Sequence, residues 1–369
     1  MHSEGRDRPS GAGTSGPSRR GLMRTAALGA AVGMAGAAGL GAAKTAAAGN
    51  GPRGGRIDVH HHVLPRKMRD WAVEHGLLVP GHTPPWADWD LERTLDQMDA
   101  NDTAVGVGSA PAPSTGFWDR GLAIEGARVF NESMADLVRD HPTRFGFFAY
   151  LPLLHVDVAL QEAAYALDEL GADGVLMMAN SDGTYLGDPR FEPLFAELDR
   201  RAAVVFTHPS ELAGAKPLPG IEPWVADFML DTTRTALSLI SAGTLDRHKR
   251  VSVILPHAGG FLPYIGGRVE AASRNGMRWS DDAFRRAMRR FYYDTAMPPT
   301  PYATPSLLAA AGHRHLLYGT DWPQFAEDEV GRMTRSLDRD PLLDPGAQAD
   351  VARENALRLL PTLARRLRR

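Results

Sequence analysis

Five histidine and aspartate side chains stand at the ends of short apolar segments, where they are placed to do chemistry. His60 and His62 end one segment, His208 and His257 end two others, and Asp321 comes just after a fourth. On a β-strand, residues two apart project to the same side, so His60 and His62 point the same way and can share one small cation. The sequence contains no cysteine. Any such cation must therefore be held by imidazole and carboxylate groups alone.

The apolar segments that carry these residues are predicted to be parallel strands. They are rich in Val, Ile, Phe and Tyr and lack the polar alternation of a half-exposed sheet, which is typical of strands covered on both faces. Strand and helix alternate about eight times, and this predicts a single α/β domain over residues 51–369, a (β/α)₈ TIM barrel. The strands are expected near Arg56–His62, Ala104–Gly108, Phe145–Tyr150, Gly174–Met178, Ala203–His208, Val251–His257, Phe291–Thr295 and His315–Gly319.

The segments between the strands predict helices and two longer excursions. Helical spacing of apolar residues is clear over Ala127–Arg139 and Val158–Leu170, and Gly171 follows the second as a helix end requires. Residues 63–100 and 209–227 are too long for simple connections. Because the loops after barrel strands cover the active face, both excursions are predicted to act as lids and substrate walls.

The first fifty residues form a separate region with the features of an export signal. Residues 1–17 are rich in Gly, Pro and Ser and are expected to be disordered; Arg19 and Arg20 then precede an apolar run and the small residues Ala46–Ala48. The paired arginines resemble a twin-arginine signal. We expect an exported protein without stable membrane contact once the signal is removed. A membrane anchor or a start codon placed too early are the alternatives.

Composition and charge limit the classes of partner. The chain has 369 residues, of which 43% are hydrophobic and 23% charged, as in ordinary globular proteins. Its net charge is −3, with both signs interspersed, which gives no electrostatic reason to expect a nucleic-acid partner. We expect the partner to be a small molecule.

The combined motifs resemble one enzyme family. Asp58-Val59-His60-His61-His62, the strand-end residues His208 and His257, and Gly319-Thr320-Asp321-Trp322-Pro323 together resemble the amidohydrolase superfamily. Within it, the chain is similar to the branch that contains aminocarboxymuconate-semialdehyde decarboxylase and the aromatic acid decarboxylases of the methylsalicylate and resorcylate type. The resemblance runs from Arg56 to about Leu360.

This resemblance implies a metal centre and its ligands. His60, His62, His208 and Asp321 would bind one divalent cation, with zinc expected and manganese or iron as alternatives. His257 would lie beside the cation and orient water or substrate. Dinuclear relatives carry a carboxylated lysine at the end of the fourth strand, where this chain has Gly174-Val175-Leu176-Met177-Met178-Ala179-Asn180, so a single-metal site is expected.

The resemblance also implies substrate-binding residues. Arg268, eleven residues after His257, would bind a substrate carboxylate, in some relatives across a dimer interface, which suggests a homodimer. Trp322 is expected to contribute an aromatic wall. Asp294, at the end of the seventh predicted strand, is expected to hold a ligand histidine in place. His61 points away from His60 and His62 and is expected to be structural.

Three functions share these residues. The favoured one is decarboxylation of a small aromatic or unsaturated carboxylic acid such as a hydroxybenzoate, with Asp321, His257 or a water delivering the proton. The spacing from His257 to Arg268, with the Tyr292–Ala296 and GTDWP context, favours it. The alternative is hydrolysis of a lactone, ester or amide by metal-activated water, with Asp321 as base. A third function is that of an exported binding protein without catalysis. It fits less well, because proteins that lose catalysis usually also lose metal ligands, and here the ligand set is complete.

Overall fold

Eight strands of the computed structural model form one parallel sheet in which neighbours follow one another in chain order, and a two-stranded hairpin between the fourth and the fifth of them lies outside the sheet. The predicted (β/α)₈ barrel is confirmed. Because all eight strands are parallel, their carboxyl ends lie on one face of the barrel. The strands are β1 Arg56–His62, β2 Thr103–Ser109, β3 Phe145–Tyr150, β4 Gly174–Met178, β5 Asn180–Ser181, β6 Thr184–Tyr185, β7 Val204–His208, β8 Ser252–Leu255, β9 Phe291–Asp294 and β10 Leu316–Leu317.

The structure describes residues 54–79, 81, 83, 85–110, 118–216, 218–277, 279–296 and 301–368. These residues belong to a single compact unit. The disordered start and export signal predicted over residues 1–50 lie outside the described residues and stay predictions.

Backbone hydrogen bonds between the first strand and the segment after the last one close the barrel. Val59 N–H donates to the carbonyl of Tyr318 at 2.9 Å, and His62 N–H donates to that of Trp322 at 2.7 Å. Between them, Asp321 N–H donates to the carbonyl of His60 at 2.8 Å. The closure of the barrel therefore sets the two histidines of β1 directly against the aspartate that follows β10.

The helices surround the sheet, and none of those described is long and apolar enough to span a membrane. The predicted helix over Ala127–Arg139 begins earlier, at Arg120, because the Asp119 side chain caps it by accepting the N–H of Leu122 at 2.9 Å. The helices are α1 Arg66–Glu74, α2 Leu91–Ala100, α3 Arg120–Asp140, α4 Val156–Asp168, α5 Glu192–Arg200, α6 Pro223–Ser241, α7 Thr244–Arg247, α8 Gly266–Ser273, α9 Asp281–Met288, α10 Thr304–Ala311, α11 Glu327–Asp338, α12 Pro345–Ala349, α13 Asn355–Leu359 and α14 Pro361–Arg366.

Both predicted excursions contain helix. In the first, residues 63–100, α1 packs against α3 and α2 packs against β2. The second ends sooner than predicted, because α6 begins at Pro223, and proline suits the first turn of a helix. Between residues 211 and 222 the described residues are almost all exposed. A role of either excursion as a lid stays a prediction.

Aromatic residues fill the barrel below the polar strand ends. The rings of Phe148 on β3 and Phe206 on β7 stack with centroids 5.2 Å apart, and both are buried. The Phe206 ring also meets the His60 ring edge to face at 5.0 Å. Because Phe206 and His208 are two residues apart on β7, they face the same interior. The histidines therefore stand on an apolar floor that excludes water from below.

A partly buried ion pair links the last helix to the opposite end of the barrel. Asp173, immediately before β4, accepts hydrogen bonds from Phe147 N–H at 3.0 Å and from Arg366 Nη2 of α14 at 2.8 Å. A Cβ at Gly146 would stand 2.4 Å from the same carboxylate oxygen, so only glycine fits there. Burial raises the pKa of Asp173, and the charge of Arg366 partly opposes that rise. This carboxylate ties the last helix to the sheet, far along the strands from the histidines.

Candidate metal centre

The structure brings four of the predicted residues to one point at the carboxyl ends of the strands. His60, His62, His208 and Asp321 are all buried and each offers one ligand atom, and these four atoms lie within 4.8 Å of one another. The Nε2 atoms of His60 and His62 are 3.2 Å apart. Oδ1 of Asp321 lies 2.8 Å from Nε2 of His62 and 3.2 Å from Nε2 of His60. The four donors come from β1, β7 and the segment after β10.

Each of the three imidazole rings is held by a partner on its other nitrogen. Nδ1 of His60 donates to Oδ2 of Asp294 at 2.8 Å, as the sequence predicted for Asp294. Nδ1 of His62 contacts the Ser109 hydroxyl at 3.1 Å, and Nδ1 of His208 donates to the carbonyl of Pro209 at 2.8 Å. With the proton on Nδ1, Nε2 keeps its lone pair and is free to bind a metal.

Hydrogen bonds to the carboxylate of Asp58, two residues before His60 on β1, hold the segment that carries Asp321. Oδ1 of Asp58 accepts the backbone N–H groups of His60 at 3.0 Å and Thr320 at 3.1 Å, and Oδ2 accepts the Thr320 hydroxyl at 2.6 Å. Asp321 has a φ of 60°, a left-handed conformation that non-glycine residues rarely adopt. The structure holds this strained residue where its carboxylate meets the imidazoles.

His257 stands beside the four. Its Nε2 lies 3.4 Å from Oδ2 of Asp321, and its ring centroid is 4.9 Å from that of His60. Its backbone N–H donates to Oδ1 of Asp294 at 2.8 Å, so one carboxylate positions both His60 and His257. Like Asp321, His257 has a left-handed φ, here 54°. Its Nδ1 is buried without a hydrogen-bond partner among the described residues, which leaves it available to a substrate or a water.

The electrostatics of the cluster favour a positive charge at its centre. Burial lowers the pKa of His208 well below its usual value, and the neighbouring histidines lower it further. Burial also lowers the pKa of His62, although Asp321 opposes this. For His60, burial acts in the same direction, but the charges of Asp294 and Asp321 outweigh it and raise the pKa to about 10. Burial acts to raise the pKa of Asp321, but the charge on His60 and the contact with His257 hold it well below its usual range.

These observations fit a divalent cation. Nitrogen and oxygen ligands at roughly 2.0–2.2 Å from a common cation lie about 3 Å from one another, as the donor atoms of His60, His62 and Asp321 do. Oδ1 of Asp321 is buried and accepts no hydrogen bond among the described residues, although two imidazole nitrogens face it. Three lone pairs and a carboxylate oxygen pointed at one place would repel each other without positive charge between them.

Neither of the two predicted substrate-binding residues is among the four whose side chains meet at this point. Arg268 is exposed on α8, in the helix that follows the His257 segment. Trp322 is 1% exposed; its indole N–H donates to the Thr94 hydroxyl at 3.1 Å, and the guanidinium of Arg93 lies 4.9 Å from the ring centroid. Its ring thus packs against α2.

Two supporting residues were not predicted. Ser109 is the last residue of β2, so a polar residue at a strand end was the signal that could have identified it. Asp58 was seen only as part of a motif, and no pattern in the sequence indicates that its carboxylate reaches Thr320, 262 positions away. Contacts across such a distance depend on the closure of the barrel.

The family model described as amidohydrolase matches residues 57–362. The 6-methylsalicylic acid decarboxylase of Aspergillus aculeatus is 36% identical over 330 residues, which is 84% of this chain and 97% of that protein. The gamma-resorcylate decarboxylase of Rhizobium radiobacter is 31% identical over 294 residues, 71% of this chain and 86% of that protein.

Solved structures agree with the fold. An amidohydrolase II crystal structure superimposes with a TM-score of 0.76 at 30% identity, covering 83% of this chain and 99% of its own. The crystal structure of 2,6-dihydroxybenzoate decarboxylase complexed with 2,6-dihydroxybenzoate superimposes with a TM-score of 0.69 at 27% identity, with coverage of 83% and 99%.

Removal of one ligand or of one supporting carboxylate is expected to weaken metal binding to different degrees. His208→Ala removes a ligand, so stoichiometric binding should be lost. Asp294→Asn keeps the ligands but removes the charged acceptor of His60, and affinity should fall about 10- to 100-fold. Competition with a chromogenic chelator measures both. His313→Ala, at a side chain 41% exposed, is the control and should bind as the parent does. Parent-like affinity of His208→Ala would contradict the ligand assignment.

Proposed function

This chain belongs to the amidohydrolase family, and from that membership we propose that it is a metal-dependent decarboxylase of a small hydroxybenzoate. The observation that carries the proposal is the buried group of three imidazoles and Asp321, with His257 within 3.4 Å of the carboxylate. The relatives from Aspergillus aculeatus and Rhizobium radiobacter are decarboxylases of 6-methylsalicylic acid and gamma-resorcylate. Both substrates are benzoic acids with a hydroxyl group next to the carboxylate, and we assign the same class to this protein.

The reaction needs a proton at the carbon that carries the carboxylate. A divalent cation held by His60, His62, His208 and Asp321 would bind the substrate oxygens and offset their negative charge. The ring carbon takes up one proton, the bond to the carboxylate carbon then breaks, and its electron pair returns to the ring as CO₂ leaves. One carboxylate and one proton thus give one phenol and one CO₂. The ortho hydroxyl assists because it donates electron density to the carbon that is protonated.

His257 and Asp321 are placed to hold and deliver that proton. Both side chains are buried, and Nε2 of His257 lies 3.4 Å from Oδ2 of Asp321. Asp294 fixes the backbone of His257, and the left-handed conformation at His257 aims its ring at Asp321. General acid catalysis by a side chain held in this way contributes typically 10²- to 10⁴-fold.

Decarboxylation and hydrolysis are separated by product analysis. We expect purified protein to release CO₂ from 2-hydroxybenzoates, with one phenol formed for each CO₂, and to lose this activity when a chelator removes the metal. A panel of hydroxybenzoates, lactones and esters, assayed for CO₂ and for new carboxylate, checks this. Lactone or ester turnover without CO₂ would support the hydrolase alternative instead, and ligand binding without turnover would support a binding protein.

His257→Asn is the matched variant for this assay. It should keep the metal, because His257 is not among the four ligands, while kcat falls about 100-fold or more. His313→Asn, at a side chain that is 41% exposed just before β10, is a control of the same residue type and should leave kcat unchanged.

We assign zinc to the site, because three imidazoles and one carboxylate suit this ion, although manganese and iron accept the same donors. Elemental analysis of protein purified without added metal tests the assignment. Zinc near one equivalent is expected, and manganese or iron at that level would correct it.

We propose a homodimer in which Arg268 binds the substrate carboxylate across the interface. Arg268 is exposed, and so are the large apolar side chains of Trp224 and Val225 on α6 and of Phe261 and Tyr264 just before α8. A neighbouring subunit would cover them.

Arg268→Ala should raise KM. Mixing it with His257→Asn, at a substrate concentration well below the KM of Arg268→Ala, tests the arrangement: if the arginine acts in trans, the mixed dimers should turn over substrate faster than either variant alone. A monomer in analytical ultracentrifugation would exclude it.

The export proposal rests on the sequence alone. We propose that the paired arginines Arg19 and Arg20 direct export of the folded chain through the twin-arginine route. Arg19→Lys together with Arg20→Lys should leave precursor inside the cell in a pulse-labelling experiment. Normal export of this variant, or export in a strain without twin-arginine transport, would refute the proposal.

A further inference from the structure

A buried carboxylate on α6 holds the loop that follows the ligand His208. Oδ2 of Asp231 accepts the backbone N–H of Ser210 at 2.9 Å, and Oδ1 accepts Nδ2 of Asn180 at 2.9 Å. The Tyr185 hydroxyl also hydrogen bonds to this carboxylate. Asp231 is fully buried, and burial of a carboxylate costs free energy unless hydrogen bonds satisfy it. Two of its three donors, Asn180 and Tyr185, lie in the hairpin β5-β6 that follows β4, and the third lies in the loop after β7.

The contact to Ser210 acts on the same peptide group that holds His208. The carbonyl of Pro209 and the N–H of Ser210 belong to one planar unit. On one side of this unit, the carbonyl accepts Nδ1 of His208 at 2.8 Å; on the other, the N–H donates to Asp231. The carboxylate therefore fixes the plane of the peptide group. It also polarises the group, so that the carbonyl becomes a better acceptor.

We propose that Asp231 is the positioning residue of His208, and that it acts through the Pro209–Ser210 peptide group to aim and hold the ring. The inference rests on the metal site proposed above, not on the reaction. In this arrangement His208 has the same kind of support as His60, whose Nδ1 meets the carboxylate of Asp294 directly. One peptide group is inserted between the carboxylate and the imidazole.

His208 needs such an anchor more than the other two histidines do. The partners of His60 and His62 lie at the ends of β9 and β2, and are held by the sheet. The partner of His208 is the first residue of a loop, and the described residues between 211 and 222 are almost all exposed. Asp231, with the contact of Asn180 to the Ser210 hydroxyl at 2.9 Å, restrains the start of that loop.

Other buried residues of α6 also hydrogen bond to segments that follow strands of the barrel. The Thr235 hydroxyl donates to the carbonyl of Ala179, and the Thr233 hydroxyl accepts the N–H of Phe261 at 2.8 Å. With Asp231, this one helix contacts the segments after β4, β7 and β8. The segment after β7 follows His208 directly, and the segment after β8 carries His257.

Metal affinity of purified protein, measured by competition with a chelator, tests the proposal without any substrate. Asp231→Ala should lower the affinity about 10- to 100-fold, as expected for loss of a residue that supports a ligand. Asp231→Asn should also weaken binding. The new side chain keeps its oxygen for the N–H of Ser210, so its NH₂ group faces the Nδ2 donor of Asn180 and that hydrogen bond is lost. Adding Asn180→Asp to Asp231→Asn reverses donor and acceptor between positions 180 and 231 and keeps a side-chain oxygen at position 231 for the N–H of Ser210. This double variant should recover affinity to within about threefold of the parent.

Asp173→Asn is the matched control, because it removes a buried carboxylate at the other end of the barrel. It should lower the melting temperature and leave metal affinity unchanged. The proposal is overturned if Asp231→Ala binds metal like the parent, if Asp173→Asn loses as much affinity, or if the double variant does not recover. Metal binding by the parent without CO₂ release would refute the decarboxylase and leave this role of Asp231 standing. A parent that binds no divalent cation would overturn both.

Discussion

Nitrogen and oxygen atoms with lone pairs repel each other when they are brought within about 3 Å in a buried place, and only positive charge between them makes such a group stable. His60, His62 and Asp321 are in that position. The high pKa of His60 and the low pKa of Asp321 express the same constraint, because a proton on His60 is held between two carboxylates. The arrangement of the surrounding groups follows from it. Each imidazole must be turned so that Nε2 faces inward, and each Nδ1 must therefore find an acceptor.

The barrel meets this requirement by using strand ends that are far apart in the chain. Closure between β1 and the segment after β10 sets His60 beside Asp321, and Asp294 at the end of β9 serves both His60 and His257. Two of the functional residues, His257 and Asp321, are held in the left-handed region of φ, which costs about 1–3 kcal/mol of conformational free energy for each residue. Buried hydrogen bonds and the aromatic floor below the site stabilise the fold enough to keep them there.

Much of this could be predicted from the sequence, because strand periodicity and strand-end chemistry are local signals. β1, β3 and β4 have the predicted bounds, and the five strand-end residues indicated the face on which the site lies. The role of Asp294 could be predicted because it also ends a strand. Asp231 could not, since it lies in the middle of a helix and its function depends on which side of α6 meets the barrel. The same limit applies to Asp58 and Thr320, which meet only when the barrel closes.

Trp322 shows a second kind of limit. Its motif suggested an aromatic wall, but α2 covers the ring, and a sequence pattern does not reveal which surface a helix from a distant loop will cover. Arg268 shows a related limit. Its side chain is exposed in one chain, and the sequence of that chain alone does not reveal whether it reaches the site of a neighbouring subunit.

X-ray absorption spectroscopy at the edge of the bound metal tests the central claim most directly. The account predicts one ion per chain, surrounded by three imidazole nitrogens and at least one carboxylate oxygen at about 2.0–2.2 Å, without a second metal nearby. A spectrum with fewer than three imidazoles, or with a metal–metal vector, would contradict it.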